Sequence, residues 1–333
     1  MHDLIGQLKT LNASLPTREN APALADDYSG LRILAVHAHP DDESSKGAAA
    51  AAAYVARGAR YMVVSMTGGE RGDILNEQVA ANPRAHRDLP GLRRSEMAAA
   101  REALGIEHRW AGFVDSGLPE GDPLPPLPYG AFATLPLEQA AAPLVRLVRE
   151  YRPHIILSYD EIGGYPHPDH IMSHKVAVEA FHKAGDPHAY VGEGEPWQPL
   201  KLYYDKIFSP ERTLALHEHL LKTRGESPMT PWVENIAARM ESAPKHRTTT
   251  RIPSFEYFEK RDAALLSHAS QVEPGGVFFA VPTEELKDVW PWEDYTLIES
   301  LVPTPAKDGG VEWCFAEGID YSNPNLHLAS YSI

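Results

Sequence analysis

The chain of 333 residues contains a single cysteine, Cys314, so no disulfide can form within it. That suits a reducing compartment, and a cytoplasmic location is the expectation. Positive charge is also scarce: 31 Lys and Arg stand against 46 Asp and Glu, a formal net charge of −15. A nucleic-acid binder needs a basic face to displace counterions, so no such partner is expected. No apolar run approaches the roughly 20 residues that span a bilayer. The start, Met1-His2-Asp3-Leu4-Ile5, lacks the basic-then-apolar pattern of a secretory signal. No membrane partner is expected either. Nucleotide and serine-hydrolase signatures are missing too. Thr67-Gly68-Gly69-Glu70-Arg71-Gly72 is glycine-rich but fits neither the dinucleotide nor the P-loop spacing, and there is no Gly-x-Ser-x-Gly elbow. It reads instead as a loop that lets backbone approach closely. The composition, 43% hydrophobic and 23% charged, is that of an ordinary globular protein. A small-molecule partner suits it, and the composition leaves oligomeric state open.

Along the chain, short apolar strands alternate with helical segments. Strands are expected at Leu31–His37, Tyr61–Met66, His108–Phe113 and His154–Ser158, with another over Leu200–Phe208. Helices are expected at about 46–56, 94–104, 137–151 and 171–182, and later near 210–222, 231–240 and 255–268. This alternation predicts an α/β fold, a Rossmann-like, mostly parallel sheet flanked by helices. Residues 1–30 read as an N-terminal extension and 31–186 as the catalytic core. Residues 187–333 read as a smaller, irregular C-terminal portion that completes the substrate pocket. The tail after Pro282, aromatic and proline-rich, gives mixed signals, and Trp290, Trp292 and Trp313 read as core. The Pro/Gly-rich stretch from Ser116 to Pro136 is long enough to be a candidate wall of a binding site.

What the sequence has in quantity is histidine, 16 in all. His37-Ala38-His39-Pro40-Asp41-Asp42-Glu43 falls where the first strand ends. His39 and Asp42 lie three apart across a turn, so imidazole and carboxylate can converge on a borderline cation such as zinc. Asp41 between them stays free, as a general base beside a metal site must be. Gly163-Gly164-Tyr165-Pro166-His167-Pro168-Asp169-His170 follows the fourth strand. His170 can complete a His-Asp-His set and leave positions open for water and substrate. His167 would then be a nearby imidazole, oriented by Asp169, and Tyr165 could polarise a carbonyl. Each piece has a plainer reading. An aspartate after a strand can simply cap a helix, His37 on the strand reads as a core histidine, and Tyr165 can be a packed tyrosine. The coincidence carries the functional reading: both clusters follow sheet strands, where such sheets place their sites.

These two strings resemble the PIG-L/LmbE-like zinc deacetylases, which hydrolyse amides on glucosamine. The likeness covers most of residues 31–185 and extends to Ser267-His268-Ala269-Ser270-Gln271-Val272. It implies one zinc per chain, though iron(II) shares such ligands, held by His39, Asp42 and His170 with Asp41 as general base. It sets His167 and Tyr165 on the oxyanion or leaving-group side. Asp73, Arg93 and Asp115 match positions that bind a glucosaminyl-inositol. Ser44-Ser45-Lys46-Gly47 and Gly69-Glu70-Arg71-Gly72-Asp73 resemble the branch that cleaves thiol-conjugate amides, where Lys46 would contact the acyl-cysteine side. The expected activity is therefore amide hydrolysis of a glucosaminyl-inositol thiol conjugate. An acetyl-sugar deacetylase and a catalytically silent sugar-binding protein are the alternatives. The segment before Leu31 departs from the family pattern.

Overall fold

The computed structural model describes residues 2–242 and 244–322. Seven strands form one sheet: β1 (Arg32–His37), β2 (Arg60–Thr67), β3 (Glu107–Phe113), β4 (Ile155–Ser158), β5 (Lys201–Asp205), β6 (Thr250–Pro253) and β7 (Trp292–Ser300). Their order is β3-β2-β1-β4-β5-β7-β6. The first five in that order are parallel, with Val36 opposite Val64 and Ala35 opposite Leu157, and β7 runs antiparallel to β5 and β6. The expected α/β class is what the chain adopts.

The central strands are apolar on both faces because helices cover both. On one face Ile33, Ala35, Tyr61 and Val63 pack on the alanine-rich helix Ala48–Ala56 and on Ala100 and Leu104 of helix Leu89–Leu104. On the other, Leu34, Val36, Met62 and Val64 pack on helices Leu137–Tyr151 and Pro168–Lys183. Leu24, Tyr28 and Leu31 join the first of these layers. Leu8 of helix His2–Ser14 packs with Leu214 of helix Pro210–Arg224.

Three elements differ from expectation in ways that shape the site. The helix expected over 46–56 is broken at Gly47, whose φ of +84° separates a short turn, Asp42–Ser45, from Ala48–Ala56. The helix expected from 171 begins at Pro168, because the His167 side chain accepts from the Asp169 amide and caps it. The tail forms β7, and Glu293 on it accepts from the Ala49 and Ala50 amides, two of the free donors at that helix's start.

The chain runs outward from β1 to β2 and β3, then returns to place β4 on the other side of β1. That reversal opens a crevice beyond the carboxyl ends of β1 and β4, the position where open α/β sheets bind ligands. Both histidine strings follow those two strands.

Candidate metal centre

Asp42 is the hub. Its Oδ2 lies 3.7 Å from His39 Nδ1 and 3.5 Å from His170 Nε2. A tetrahedral cation with ligands at about 2.0–2.1 Å spaces them by roughly 3.3 Å, close to these separations. The same oxygen accepts from the His39 amide (3.0 Å) and the Tyr159 hydroxyl (2.8 Å), while Oδ1 accepts from Lys46 Nζ at 2.6 Å. Those donors hold the carboxylate ionised and aimed. Its pKa lies well below the usual range: burial opposes ionisation, but His170, Lys46 and His39 outweigh it.

The two imidazoles are oriented from behind. His170 Nδ1 lies 2.9 Å from the Gly163 carbonyl and so carries the proton. Its buried Nε2 then presents a lone pair with no hydrogen-bond partner among the described residues. Burial, only partly offset by Asp42, lowers the ring to about 3 and keeps it neutral. His39 Nε2 faces Asp169 Oδ2 at 3.3 Å and Asp115 at 3.6 Å, freeing Nδ1 for the centre. This carboxylate-behind-histidine arrangement is how metal-ligating rings are usually fixed. Burial would depress His39, but Asp115, Asp169 and Asp42 push it up to about 10. The pocket therefore selects for positive charge at this point.

A second grouping of His39, Asp115, His167 and Asp169 also lies within ligand reach of one another. Its carboxylates accept hydrogen bonds just as Asp42 does, so what separates the two groupings is the unpartnered His170 nitrogen. Asp169 accepts from the Ser116 amide and hydroxyl, and Asp115 from the Arg71 and Gly117 amides. The orphaned His170 nitrogen thus marks His39, Asp42 and His170 as the group that could hold a metal ion.

Asp41 sits beside them at φ +111°, a left-handed conformation costly for a non-glycine residue. Two contacts hold it there. Its amide donates to Glu43 Oε2 at 2.9 Å, and Arg93 Nη2 donates to its Oδ2 at 3.0 Å. Arg93 also donates to the carbonyls of Pro40 and Gly69. Gly69 must be glycine, since a Cβ there would lie 2.0 Å from Arg93 Nη1. Burial raises the Asp41 pKa, with Arg93 pulling against it. Behind Asp41, Glu43 accepts from His268 at 2.6 Å in a fully buried pair.

The remaining sequence candidates fall in several places. His167 stacks edge-on to His39 at 4.6 Å between centroids, and its Nδ1 accepts from the Asp169 amide. Asp169 therefore orients His39 through its carboxylate and meets His167 through its backbone. Tyr165 is 46% exposed at the mouth, 4.7 Å from the His170 ring. Lys46 Nζ is bonded to Asp42, and its side chain also lines the adjoining cleft. Arg93, matched above to a substrate-binding position, is 3% exposed and faces Asp41. Asp115 is buried against the centre, and Asp73 is exposed. His37 is a core residue that burial depresses to about 4. Sequence reasoning missed Tyr159, Ser116 and the Glu43–His268 pair as supports. Glu43, Ser116 and His268 each stood in a string that drew attention, but none was read as a support, and Tyr159 carried no signal. A cleft opens beside Lys46, and residues 116–136 contribute nothing to its lining.

A mostly parallel α/β sheet with a buried histidine–carboxylate centre at its switch point defines an α/β protein built around a metal-type site. Residues 34–181 match the PIG-L family, described as GlcNAc-PI de-N-acetylase, and the chain belongs to that family. It is 52% identical over 277 residues to a Streptomyces coelicolor protein named mycothiol S-conjugate amidase, covering 82% of this chain and 94% of that one. It is 36% identical over 289 residues to the Streptomyces avermitilis 1D-myo-inositol 2-acetamido-2-deoxy-alpha-D-glucopyranoside deacetylase, covering 84% and 96%. A conserved Thermus thermophilus protein of known structure shares the fold with TM-score 0.53 and 20% identity, covering 83% of this chain and 98% of its own. The Pyrococcus horikoshii N,N'-diacetylchitobiose deacetylase does so with TM-score 0.53 and 16% identity, covering 80% and 83%. Among the described residues no helix is long and apolar enough to cross a membrane.

Proposed function

We propose that the chain is a zinc-dependent amidase that hydrolyses S-conjugates of mycothiol, releasing a mercapturic acid and glucosaminyl-inositol. The observation that carries this is the 52% identity across nearly the whole of a relative bearing that name, against 36% for the Streptomyces avermitilis acetyl-sugar deacetylase. His39, Asp42 and His170 would hold the cation. Zinc bound there would acidify a water molecule and polarise the amide carbonyl.

The chain's own groups do the rest. Asp41 takes the proton from the attacking water, and its raised pKa makes it a stronger base than an ordinary carboxylate. The same carboxyl group then hands that proton to the leaving amine nitrogen. Because the His167 Nδ1 accepts from a backbone amide, the neutral ring carries its proton on Nε2. Burial and the neighbouring His39 lower its pKa, so the ring stays neutral. That N–H is a donor for the oxyanion that develops on the carbonyl. The Tyr165 phenol, protonated at neutral pH like any tyrosine, supplies a second donor at the mouth.

The test is hydrolysis by zinc-loaded protein of a bimane conjugate of mycothiol against N-acetylglucosaminyl-inositol. Preference for the conjugate is expected, and preference for the acetyl sugar would move the chain to the deacetylase branch. Asp41→Asn should lose about 10²–10⁴-fold in kcat at unchanged zinc content. Retained turnover would remove Asp41 from its role.

A further inference from the structure

The crevice has two unlike flanks. The metal-type residues follow β1 and β4, so the loops after β2 and β3 lie on one side and the end of β5 with the start of β7 on the other. The first flank is polar, with Arg71 and Asp73 exposed and Asp115 at its base. Hydroxyl-rich groups suit such a surface. The second flank holds the cleft beside Lys46, walled by Phe258, Phe278, Trp290 and Trp292. Lys46 joins the cavity to the centre, since its side chain lines the one and its Nζ contacts Asp42 in the other.

Among the cavity's charged groups Arg212 stands out. Its Nη1 donates to the Ile207 carbonyl at 2.7 Å, and no carboxylate among the described residues comes within ion-pair distance of its guanidinium. By contrast Arg261 pairs with Asp262, and Asp294 is met by Arg251, Ser209 and Trp290. Burial and the neighbouring Arg261 lower Arg212 only to about 10, so it stays charged. A planar cation set among aromatic walls, with donors to spare, is built to meet an acceptor on a largely apolar group.

We infer that this cavity is the acyl-group pocket of the amidase, taking an acyl chain with a bulky apolar substituent and reading a hydrogen-bond acceptor on that chain through Arg212. The inference rests on the amidase reading for its substrate class. An acetyl group offers neither an apolar body to the aromatic walls nor a second acceptor to Arg212, whereas an S-substituted N-acetylcysteinyl group brings both the apolar body and an acetamido carbonyl. Substrate orientation follows: the polar flank takes the amine half and the aromatic flank the acyl half.

Two measurements test this. The first compares kcat/KM for the bimane conjugate with that for N-acetylglucosaminyl-inositol in wild type, Ile207→Trp and Arg212→Gln. Ile207 is a half-buried lining residue, so a tryptophan there narrows the cavity. The conjugate-to-acetyl ratio should fall about tenfold or more in both variants. Equal loss on both substrates, or none, overturns the pocket. The second uses no turnover: calorimetric binding of S-benzyl-N-acetylcysteine should weaken about tenfold in both variants. Tight binding without conjugate turnover would leave the pocket standing and remove the amidase reading. Conjugate turnover with an unaltered ratio would do the reverse. If Ile207→Trp fails to fold, Phe278→Ala makes the same comparison by removing an aromatic wall.

Discussion

Replacing Arg93 with methionine separates two accounts of the site. The family match makes this residue a substrate contact, and the geometry makes it the clamp on Asp41. The guanidinium is 3% exposed and spends its donors on Asp41 Oδ2 (3.0 Å), the Pro40 carbonyl (2.5 Å) and the Gly69 carbonyl (2.8 Å). The methionine keeps much of the volume and removes all three bonds. A hydrogen bond to a charged partner is worth about 1.5–3 kcal/mol, and the two carbonyls lose about 1 kcal/mol more each, less what water recovers. The Asp41 carboxylate is partly open to solvent, so the penalty for stranding it lies below the 3–5 kcal/mol of a fully buried pair. A net destabilisation of about 3 kcal/mol is expected in urea unfolding.

The kinetic consequence is more diagnostic. Asp41 is held at φ +111°, a strain of order 1–3 kcal/mol that relaxes once the clamp goes. A base displaced by an ångström costs about 10²-fold in rate. Arg93→Met should therefore lose about 10²-fold in kcat, with KM within a fewfold of wild type and metal content unchanged. Arg93→Lys keeps the charge but cannot span three acceptors, and should fall between. A tenfold rise in KM with kcat intact would refute the clamp and restore the substrate contact.

Three further predictions follow from the supports around the centre. Tyr159→Phe deletes the donor to Asp42 Oδ2 and strands the Ala38 amide, which donates to that hydroxyl at 2.7 Å. Metal affinity, read by competition with a chelator, should drop about 10–100-fold, and stability should fall by about 1–3 kcal/mol. Gly163→Ala would put a Cβ 2.5 Å from His170 Cβ at φ +73°, so both thermal stability and chelator resistance should fall; an unaltered melting curve would count against the geometry. Asp205, at the end of β5, is pushed up to about 7 by burial, with Asp160 and Asp42 repelling its charge and Lys46 opposing the shift. Its folded pKa lies above the unfolded value near 3.9, so the folded state binds more protons and stability falls as pH rises from about 4 to 7. Asp205→Asn should gain on wild type in melting temperature across that window, and parallel pH profiles would refute the assignment.

How much of this was readable beforehand depends on the sequence distance between partners. His39, Asp42 and His170 were readable because each sits within a short string after a strand, and strand ends at a switch point are places a pattern can predict. Asp41 was readable for the same reason. Its clamp was not. Arg93 could be singled out as a residue, but whether it faces substrate or Asp41 depends on Gly69 letting it through, 24 positions away. Tyr159 reaches Asp42 across 117 positions, and His268 reaches Glu43 across 225. No periodicity encodes such pairings. The last strand failed for a related reason. Trp292–Ser300 carries Glu293 and Asp294, which read as polar interruptions. In the fold Glu293 meets helix amides near residue 49, and Asp294 meets Arg251, Ser209 and Trp290, so neither charge faces water unpaired. Residues 116–136 drew attention as a pocket wall because loop length is visible in a sequence. The cavity formed elsewhere because its lining comes from three separate segments, 45–47, 205–212 and 258–295, and their convergence depends on β7 inserting between β5 and β6. Local chemistry fixes where a ligand set stands, whereas the walls that select a substrate follow from long-range strand order, which composition and spacing do not carry.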